Sequence, residues 1–89
     1  MNSPADIAAL RAILATLYPG RADVLRVLSD VALDSSRINL EGSSVVRWHR
    51  TLLEAEKRGR LAAILDLTAQ EYPESAALRS LASRIGTAS

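Results

Sequence analysis

The sequence contains no cysteine, which excludes both a disulfide framework and a thiolate metal site as sources of stability. Its 89 residues are enough for one hydrophobic core, and nearly half of them are apolar. We therefore expect a single domain over residues 1–89, with an ordered core of about residues 4–86, that folds alone through side-chain packing.

The sequence also lacks long apolar runs, and its net charge is small. No stretch approaches the roughly 18–20 apolar residues that cross a bilayer, and the first residues lack the basic and apolar regions of a signal peptide. We therefore expect a cytoplasmic protein with no membrane partner. A net charge of +1 provides no whole-molecule field for phosphate backbones, so nucleic acid would have to bind a local patch.

Residues for catalysis or metal binding are scarce. His49 is the only histidine, so it has no second imidazole or thiolate to share a metal, and we expect it at the edge of an apolar face. Glu54 and Glu56 lie two residues apart on a predicted helix and cannot face one another as an acid/base pair. No nucleophile elbow, phosphate-binding glycine loop or calcium loop occurs. We expect neither an enzyme nor a cofactor or metal site.

Glycine and proline are few, and they divide the chain into helical segments. Apolar residues recur every three or four positions between these breaks, which is typical of amphipathic helices. We predict helices over residues 4–18, 21–32, 43–59 and 61–72, a last helix from residues 73–75 to 86, and a single helical turn at residues 34–38. Serines occupy several predicted helix starts, where they cap amides: Ser3, Ser35, Ser43 and Ser75. The connections are short, so the sequence predicts an all-α, compact antiparallel bundle of five to six helices.

The apolar stripes of these helices predict the core. Trp48 is the largest side chain, and its row on the helix favours a place in the core over a role as an interface anchor. Tyr18 and Tyr72 stand at helix ends, where we expect half-buried rings with hydroxyls in water. The predicted core consists of Leu10, Leu14, Leu17, Leu28, Val45, Trp48, Leu52, Leu61, Leu65, Leu78 and Leu81.

Charge is unevenly placed along the chain. Residues 43–60 hold five basic and two acidic residues, whereas residues 61–78 hold three acidic residues and no basic one. A mixed solvated surface is one explanation. The other is that opposite patches make the domain complementary to a copy of itself in a head-to-tail contact. The candidate basic side is Arg47, Arg50, Lys57, Arg58 and Arg60, and the candidate acidic side is Asp30, Asp34, Glu41, Asp66, Glu71 and Glu74. Arg47, Arg50 and Arg58 are expected to share an outward helix face, so that reversing Arg47 and Arg50 spares the fold.

Several ordered segments carry a family resemblance. They are Leu-Ala-Thr-Leu-Tyr-Pro at residues 14–19, Leu-Ser-Asp-Val-Ala-Leu-Asp at 28–34, Ile-Asn-Leu-Glu-Gly-Ser at 38–43, Trp48, residues 52–61, Glu-Tyr-Pro at 71–73, and Leu78. Together they span nearly the whole chain, and in order and spacing they resemble the effector-associated domain 1 family of bacterial conflict systems.

The resemblance implies a death-fold-like bundle that serves as an adaptor. Its implied partner is a protein, above all another death-like domain linked to an effector, and self-association into a homo-oligomer belongs to the same expectation. The sequence departs from the family pattern at Ala32, where the resemblance implies glycine, and at residues 39–40, where an Asp and an aromatic residue are common.

Two other functions remain open from the sequence. A helix bearing Arg47, Arg50 and Arg58 could lie along phosphates or enter a major groove as a nucleic-acid-binding module, although the acidic residues argue against it. The chain could also be a bare dimerisation domain.

Overall fold

The computed structural model describes residues 4–86 as five α-helices and one short 3-10 turn. The helices are α1 (Pro4–Leu17), α2 (Arg21–Asp30), α3 (Ser44–Arg58), α4 (Leu61–Glu71) and α5 (Ala76–Gly86), and the turn is Ser35–Arg37. No strand occurs within these residues, so the predicted all-α fold is confirmed. The predicted cap at Ser3 lies outside the described residues.

Side-chain caps define the helix starts that the sequence predicts. The Ser43 hydroxyl accepts a hydrogen bond from the Val46 amide at 3.3 Å, and the Ser75 hydroxyl accepts one from the Leu78 amide at the same distance. Each cap satisfies an amide that the first helical turn leaves without a partner. These two serines therefore fix where α3 and α5 begin.

The end of α3 is a Schellman motif. Gly59 adopts a left-handed conformation with φ of 69°, and its amide donates to the Glu56 carbonyl at 3.3 Å. The Arg60 amide donates back to the Ala55 carbonyl at 2.8 Å. Because glycine tolerates positive φ, it is the residue that usually occupies this position, and the predicted stop at Gly59 is confirmed.

The end of α2 repeats this motif with alanine in place of glycine. Ala32 has φ of 58° and donates its amide to Ser29, while Leu33 donates to Leu28 at 2.9 Å. The helix predicted to reach residue 32 therefore ends at Asp30. The position at which the family pattern favours glycine is thus one where the backbone is left-handed.

Trp48 lies at the centre of the core and is fully buried. Its indole nitrogen donates to the Tyr18 carbonyl at 2.9 Å, and the Tyr18 ring packs edge-on against the Trp48 and Tyr72 rings. Tyr18 is only 2% exposed, so the expectation that its ring is half-buried with a water-bonded hydroxyl is wrong. The three rings join the end of α1 to α3 and to the end of α4.

The predicted core is largely confirmed, with one error. Leu17 is partly buried and packs against the core, but Val45 is 46% exposed. Three residues along an α-helix rotate by about 300°, so Val45 stands about 60° from Trp48 and projects past the edge of the buried face. The predicted residues that are buried are Leu10, Leu14, Leu28, Trp48, Leu52, Leu61, Leu65, Leu78 and Leu81.

Helix packing places α1 between α3 and α5. α4 packs on α5, and α2 packs on α3 and α4. An ion pair of 3.0 Å between Asp6 and Arg84 joins the start of α1 to the end of α5. Since α1 lies directly beside α3, the outer surface of these two helices forms a continuous face.

Candidate partner-binding surfaces

Arg47 belongs to the predicted basic side, but its guanidinium turns back onto the domain. One terminal nitrogen donates to the Gly42 carbonyl and the other to the Pro19 carbonyl, both at 2.7 Å. Its Nε is buried and has no hydrogen-bond partner among the described residues. Arg47 therefore ties the α1–α2 loop to the loop before α3, and the expectation that it points outward is wrong.

Arg50 also folds onto backbone. Its Nη1 donates to the Glu41 carbonyl at 3.0 Å and to the Asn39 carbonyl at 3.3 Å. The loop before α3 is held from inside as well, because the Asn39 side chain accepts from the Glu41 amide at 2.9 Å. Arg50 and Arg47 thus secure the entry to α3. That reversing both of them spares the fold stays a prediction, and these hydrogen bonds argue against it.

The other three predicted basic residues lie at the far end of α3. Arg58 forms an ion pair of 2.9 Å with Glu54 one turn earlier. Lys57 and Arg60 are exposed and form no hydrogen bond or ion pair with residues 4–86. Of the predicted basic side, these two cations are the ones that remain available to a partner.

Glu71, from the predicted acidic side, is engaged in a network inside the domain. Its carboxylate accepts two hydrogen bonds of 2.8 Å from the Arg26 guanidinium and one of 2.6 Å from the Tyr18 hydroxyl. Arg26 also pairs with Asp30 at 3.1 Å, which is the i,i+4 contact that their spacing in α2 predicts. Two of the predicted acidic residues therefore stabilise the junction of α1, α2 and α4.

The network shifts the pKa values of its members. Hydrogen bonds from Arg26 and then from Tyr18 lower the pKa of Glu71, because they favour the ionised carboxylate. Burial, followed by the hydrogen bond to Glu71, raises the pKa of Tyr18 well above its ordinary value. The network therefore holds an ionised Glu71 against a protonated Tyr18 near neutral pH.

The remaining acidic candidates differ in how strongly they are held. Asp34 caps the 3-10 turn by accepting from the Ser36 amide at 2.9 Å, and this bond lowers the pKa of Asp34. The side chain of Glu41 is exposed. Asp66 and Glu74 are exposed and form no hydrogen bond or ion pair with the described part of the chain. Like Lys57 and Arg60 on the predicted basic side, Asp66 and Glu74 are residues of the predicted acidic side that remain available to a partner.

An apolar surface that the charge pattern does not predict lies on α3. Val45, Val46 and Leu53 are 36–46% exposed and are three of the four large hydrophobic residues exposed in the described chain. Beside them, α1 and α3 enclose a groove of about 320 Å³. This α1/α3 groove is lined by Pro4, Ile7, Ala8, Arg11, His49, Leu53 and Glu56.

His49 lies in the α1/α3 groove as an exposed side chain, at the edge of the apolar face as expected. The Arg11 guanidinium donates to its Nδ1 at 3.1 Å. A guanidinium has donors only, so Nδ1 is the acceptor in this contact. The sequence contains a signal for this surface, since Val46, His49 and Leu53 form a second row beside the buried stripe of α3 and make its apolar face wider than one packing partner needs.

Membrane-spanning and metal-binding features are absent from the part of the chain that the structure describes. None of its helices has the length and apolar character to span a bilayer. Its acidic residues and single histidine form no group of three that could hold a metal ion.

A family comparison decides where this fold belongs. The model of effector-associated domain 1 matches residues 1–86, which is nearly the whole chain. The chain belongs to the effector-associated domain 1 family. No curated protein and no solved structure matches this effector-associated domain.

Proposed function

We propose that this effector-associated domain is an adaptor that binds a matching death-like domain, in a second copy or in another protein, and thereby recruits or clusters an effector in a bacterial conflict system. The membership in a family of effector-associated modules supports the general role. The observation that carries the proposal is the distribution of the exposed charged side chains that form no hydrogen bond or ion pair within residues 4–86, namely Lys57, Arg60, Asp66 and Glu74. No catalytic step belongs to this proposal.

These four side chains change from basic to acidic along α4. This helix has 11 residues and is about 16 Å long. Lys57 and Arg60 precede its first residue, Asp66 lies near its middle, and Glu74 follows its last residue. One end of the domain is therefore basic, and the surface from the middle of α4 to its far end is acidic.

Opposite charges on separate parts of one domain favour a head-to-tail contact. The basic end of one domain fits the acidic surface of the next, and such a heterologous contact can extend to further copies. Exposed charges contribute mainly to association rate and specificity, and they are screened by salt. The proposed contact should therefore weaken steeply between low and moderate ionic strength.

A charge-reversal experiment tests the proposal. Lys57→Glu/Arg60→Glu and, separately, Asp66→Lys/Glu74→Lys should each weaken self-association at low salt at least tenfold, measured by sedimentation velocity. Mixing the two reversed proteins should restore association, because the reversed ends are complementary to each other. The matched control is Arg21→Glu/Arg79→Glu, which reverses two exposed cations elsewhere on the surface.

The controls make the outcome decisive. All variants should unfold at temperatures close to that of the native chain, because none of the reversed side chains is bonded within residues 4–86. If the Lys57/Arg60 variant associates as strongly as the Arg21/Arg79 variant, the assigned surface is wrong. Binding to a matching domain from another protein is read out by the same variants in a pull-down.

Nucleic-acid binding gains no support from the geometry. That alternative needs Arg47, Arg50 and Arg58 on one open helix face, but the first two donate to backbone carbonyls and the third pairs with Glu54. A mobility-shift assay at low salt checks this alternative, since phosphate contacts are strongest there. We expect no shift.

A further inference from the structure

We infer that the α1/α3 groove is a second interface, through which two copies of this chain pair around a twofold axis. The inference rests on the proposed function in that it takes association as the role of the domain. It uses a different surface, because the groove contains none of the four charges assigned to the head-to-tail contact. The two contacts together would convert a pair into an extended assembly.

Exposed apolar side chains are the first argument for this interface. Val45 and Leu53 are each 46% exposed and Val46 is 36% exposed, and all three lie on α3 between residues 45 and 53. A cluster of apolar side chains on a small domain gains free energy when a partner covers it, whereas scattered ones do not. The groove beside them lies at the lower limit of ligand pockets, which are roughly 300–1,000 Å³, so it fits a few side chains of a partner.

The charges at the ends of the groove indicate which partner fits. Arg11 contacts His49 at one end of the part of α3 that lines the groove, and Glu56 lies at the other end, with Leu53 between them. His49 and Glu56 are seven residues apart, or about 10 Å along α3. Arg11 donates to the His49 Nδ1 and pairs with no carboxylate among residues 4–86, so its positive charge is not neutralised there.

A second copy turned by 180° would cover the exposed apolar side chains and would also bring a carboxylate to Arg11. The rotation exchanges the two ends of the groove, which brings Glu56 of each copy to Arg11 of the other and Leu53 of each copy to the middle. A twofold contact is isologous, so each favourable pair occurs twice. The apolar centre with charges at the edge is the usual arrangement of protein interfaces.

The first test uses high salt, which separates the two contacts. At 0.5 M sodium chloride the charged head-to-tail contact is screened, whereas burial of apolar surface persists. The native chain should be a dimer by light scattering under these conditions. Leu53→Glu should weaken dimerisation at least tenfold, and Val46→Glu provides an independent variant in the same row.

Leu25→Glu is the matched control. Leu25 is 38% exposed on α2, outside the groove, so its substitution introduces the same charge without touching the interface. Circular dichroism melting checks that each variant is folded. A native chain that is monomeric at high salt, or a folded Leu53→Glu variant that dimerises as well as Leu25→Glu, would overturn the inference.

A charge exchange tests the twofold geometry itself. Arg11→Glu and Glu56→Arg should each weaken the dimer several-fold, because each places like charges at both ends of the contact. An equimolar mixture should form a heterodimer of near-native affinity, since both cross-pairs are then opposite in sign. If the mixture associates no better than the separate variants, the twofold arrangement is wrong.

The groove variants and the Lys57/Arg60 variant should lose different contacts. Groove variants should retain the salt-sensitive association at low ionic strength, and the Lys57/Arg60 variant should retain the dimer at high ionic strength. Loss of only one activity in each variant identifies two surfaces. Loss of the dimer in the Lys57/Arg60 variant would show a single surface and refute the second interface.

Discussion

At the scale of single residues, Ala32 is notable because its backbone has a left-handed conformation, which favours glycine over alanine. It occupies the left-handed position of a Schellman motif with φ of 58°, and Gly59 occupies the same position at the end of α3. A left-handed conformation costs a residue with a Cβ about 1–2 kcal/mol, part of which is offset because alanine restricts the unfolded chain more than glycine does. The pair forms a natural comparison within one domain.

We predict that Ala32→Gly stabilises the domain. The gain should be about 0.5–1 kcal/mol, which corresponds to about 4 °C in Tm for a domain of this size. The reverse substitution, Gly59→Ala, should destabilise it by about 1 kcal/mol through the backbone alone, because a Cβ at Gly59 would meet no atom within 4 Å. Thermal unfolding measures the change in stability of both variants. An Ala32→Gly variant less stable than the native chain would contradict the prediction.

Glu71 gives a prediction about pH. Its pKa is lowered in the folded state, chiefly by the hydrogen bond from Arg26, so its contribution to stability is present above the unfolded pKa of about 4.5 and is lost as the pH falls through the lower folded value. Glu71→Gln should therefore be less stable than the native chain at pH 7, and the difference should narrow toward pH 3. Urea unfolding at several pH values measures it.

Glu74→Gln is the control for this measurement. Glu74 is exposed and unbonded within residues 4–86, so its substitution should leave the stability close to that of the native chain from pH 7 to pH 3. A gap between Glu71→Gln and the native chain that stays constant with pH would show that the ionised carboxylate contributes nothing specific.

At the scale of elements, α3 depends on side chains that return to the loops around its start. The two hydrogen bonds of Arg47 connect backbone segments 23 residues apart in sequence, at Pro19 and Gly42. The forked guanidinium can reach both carbonyls at once, whereas a lysine ammonium is a single point of contact. The start of α3 is therefore fixed by one side chain as well as by the Ser43 cap.

We predict that Arg47→Ala destabilises the domain by about 2 kcal/mol, because hydrogen bonds from charged groups contribute about 1.5–3 kcal/mol and two carbonyls lose their donor. Arg47→Lys should recover only part of this loss. Arg60→Ala, which removes an arginine that is not bonded to any of residues 4–86, should change the stability by less than about 0.5 kcal/mol. Chemical denaturation measures all three, and equal stability of the Arg47 and Arg60 variants would contradict the role of Arg47.

The elements themselves could be predicted from the sequence because their signals are local. Ser43 and Gly59 bound α3 through contacts within five residues, and apolar periodicity identifies the buried stripe around Trp48. The partners of long charged side chains could not be predicted in this way. Arg47 reaches Pro19, and Glu71 bonds Tyr18 across 53 residues, so the destination of each side chain depends on the completed fold.

At the scale of the whole molecule, the fold sorts its charged residues into two groups. Arg26, Arg47, Arg50 and Glu71 hold loops and helix ends together, and they are unsuited to binding a partner because their removal would disturb the domain. The other group is Lys57, Arg60, Asp66 and Glu74, which lie at the surface and form no hydrogen bond or ion pair within residues 4–86. This division could not be seen in the sequence, where both groups contribute equally to the local charge, and the binding role of the second group stays a prediction.

The buried indole has a practical consequence for all of these measurements. Trp48 is the only tryptophan of the chain, it is fully buried against Tyr18, and it lies in neither proposed interface. Its fluorescence emission should shift to longer wavelength when the domain unfolds and water reaches the ring. Pairing of folded copies through their outer surfaces should leave the emission maximum unchanged, so one optical signal distinguishes a variant that has lost its fold from one that has lost only its partner.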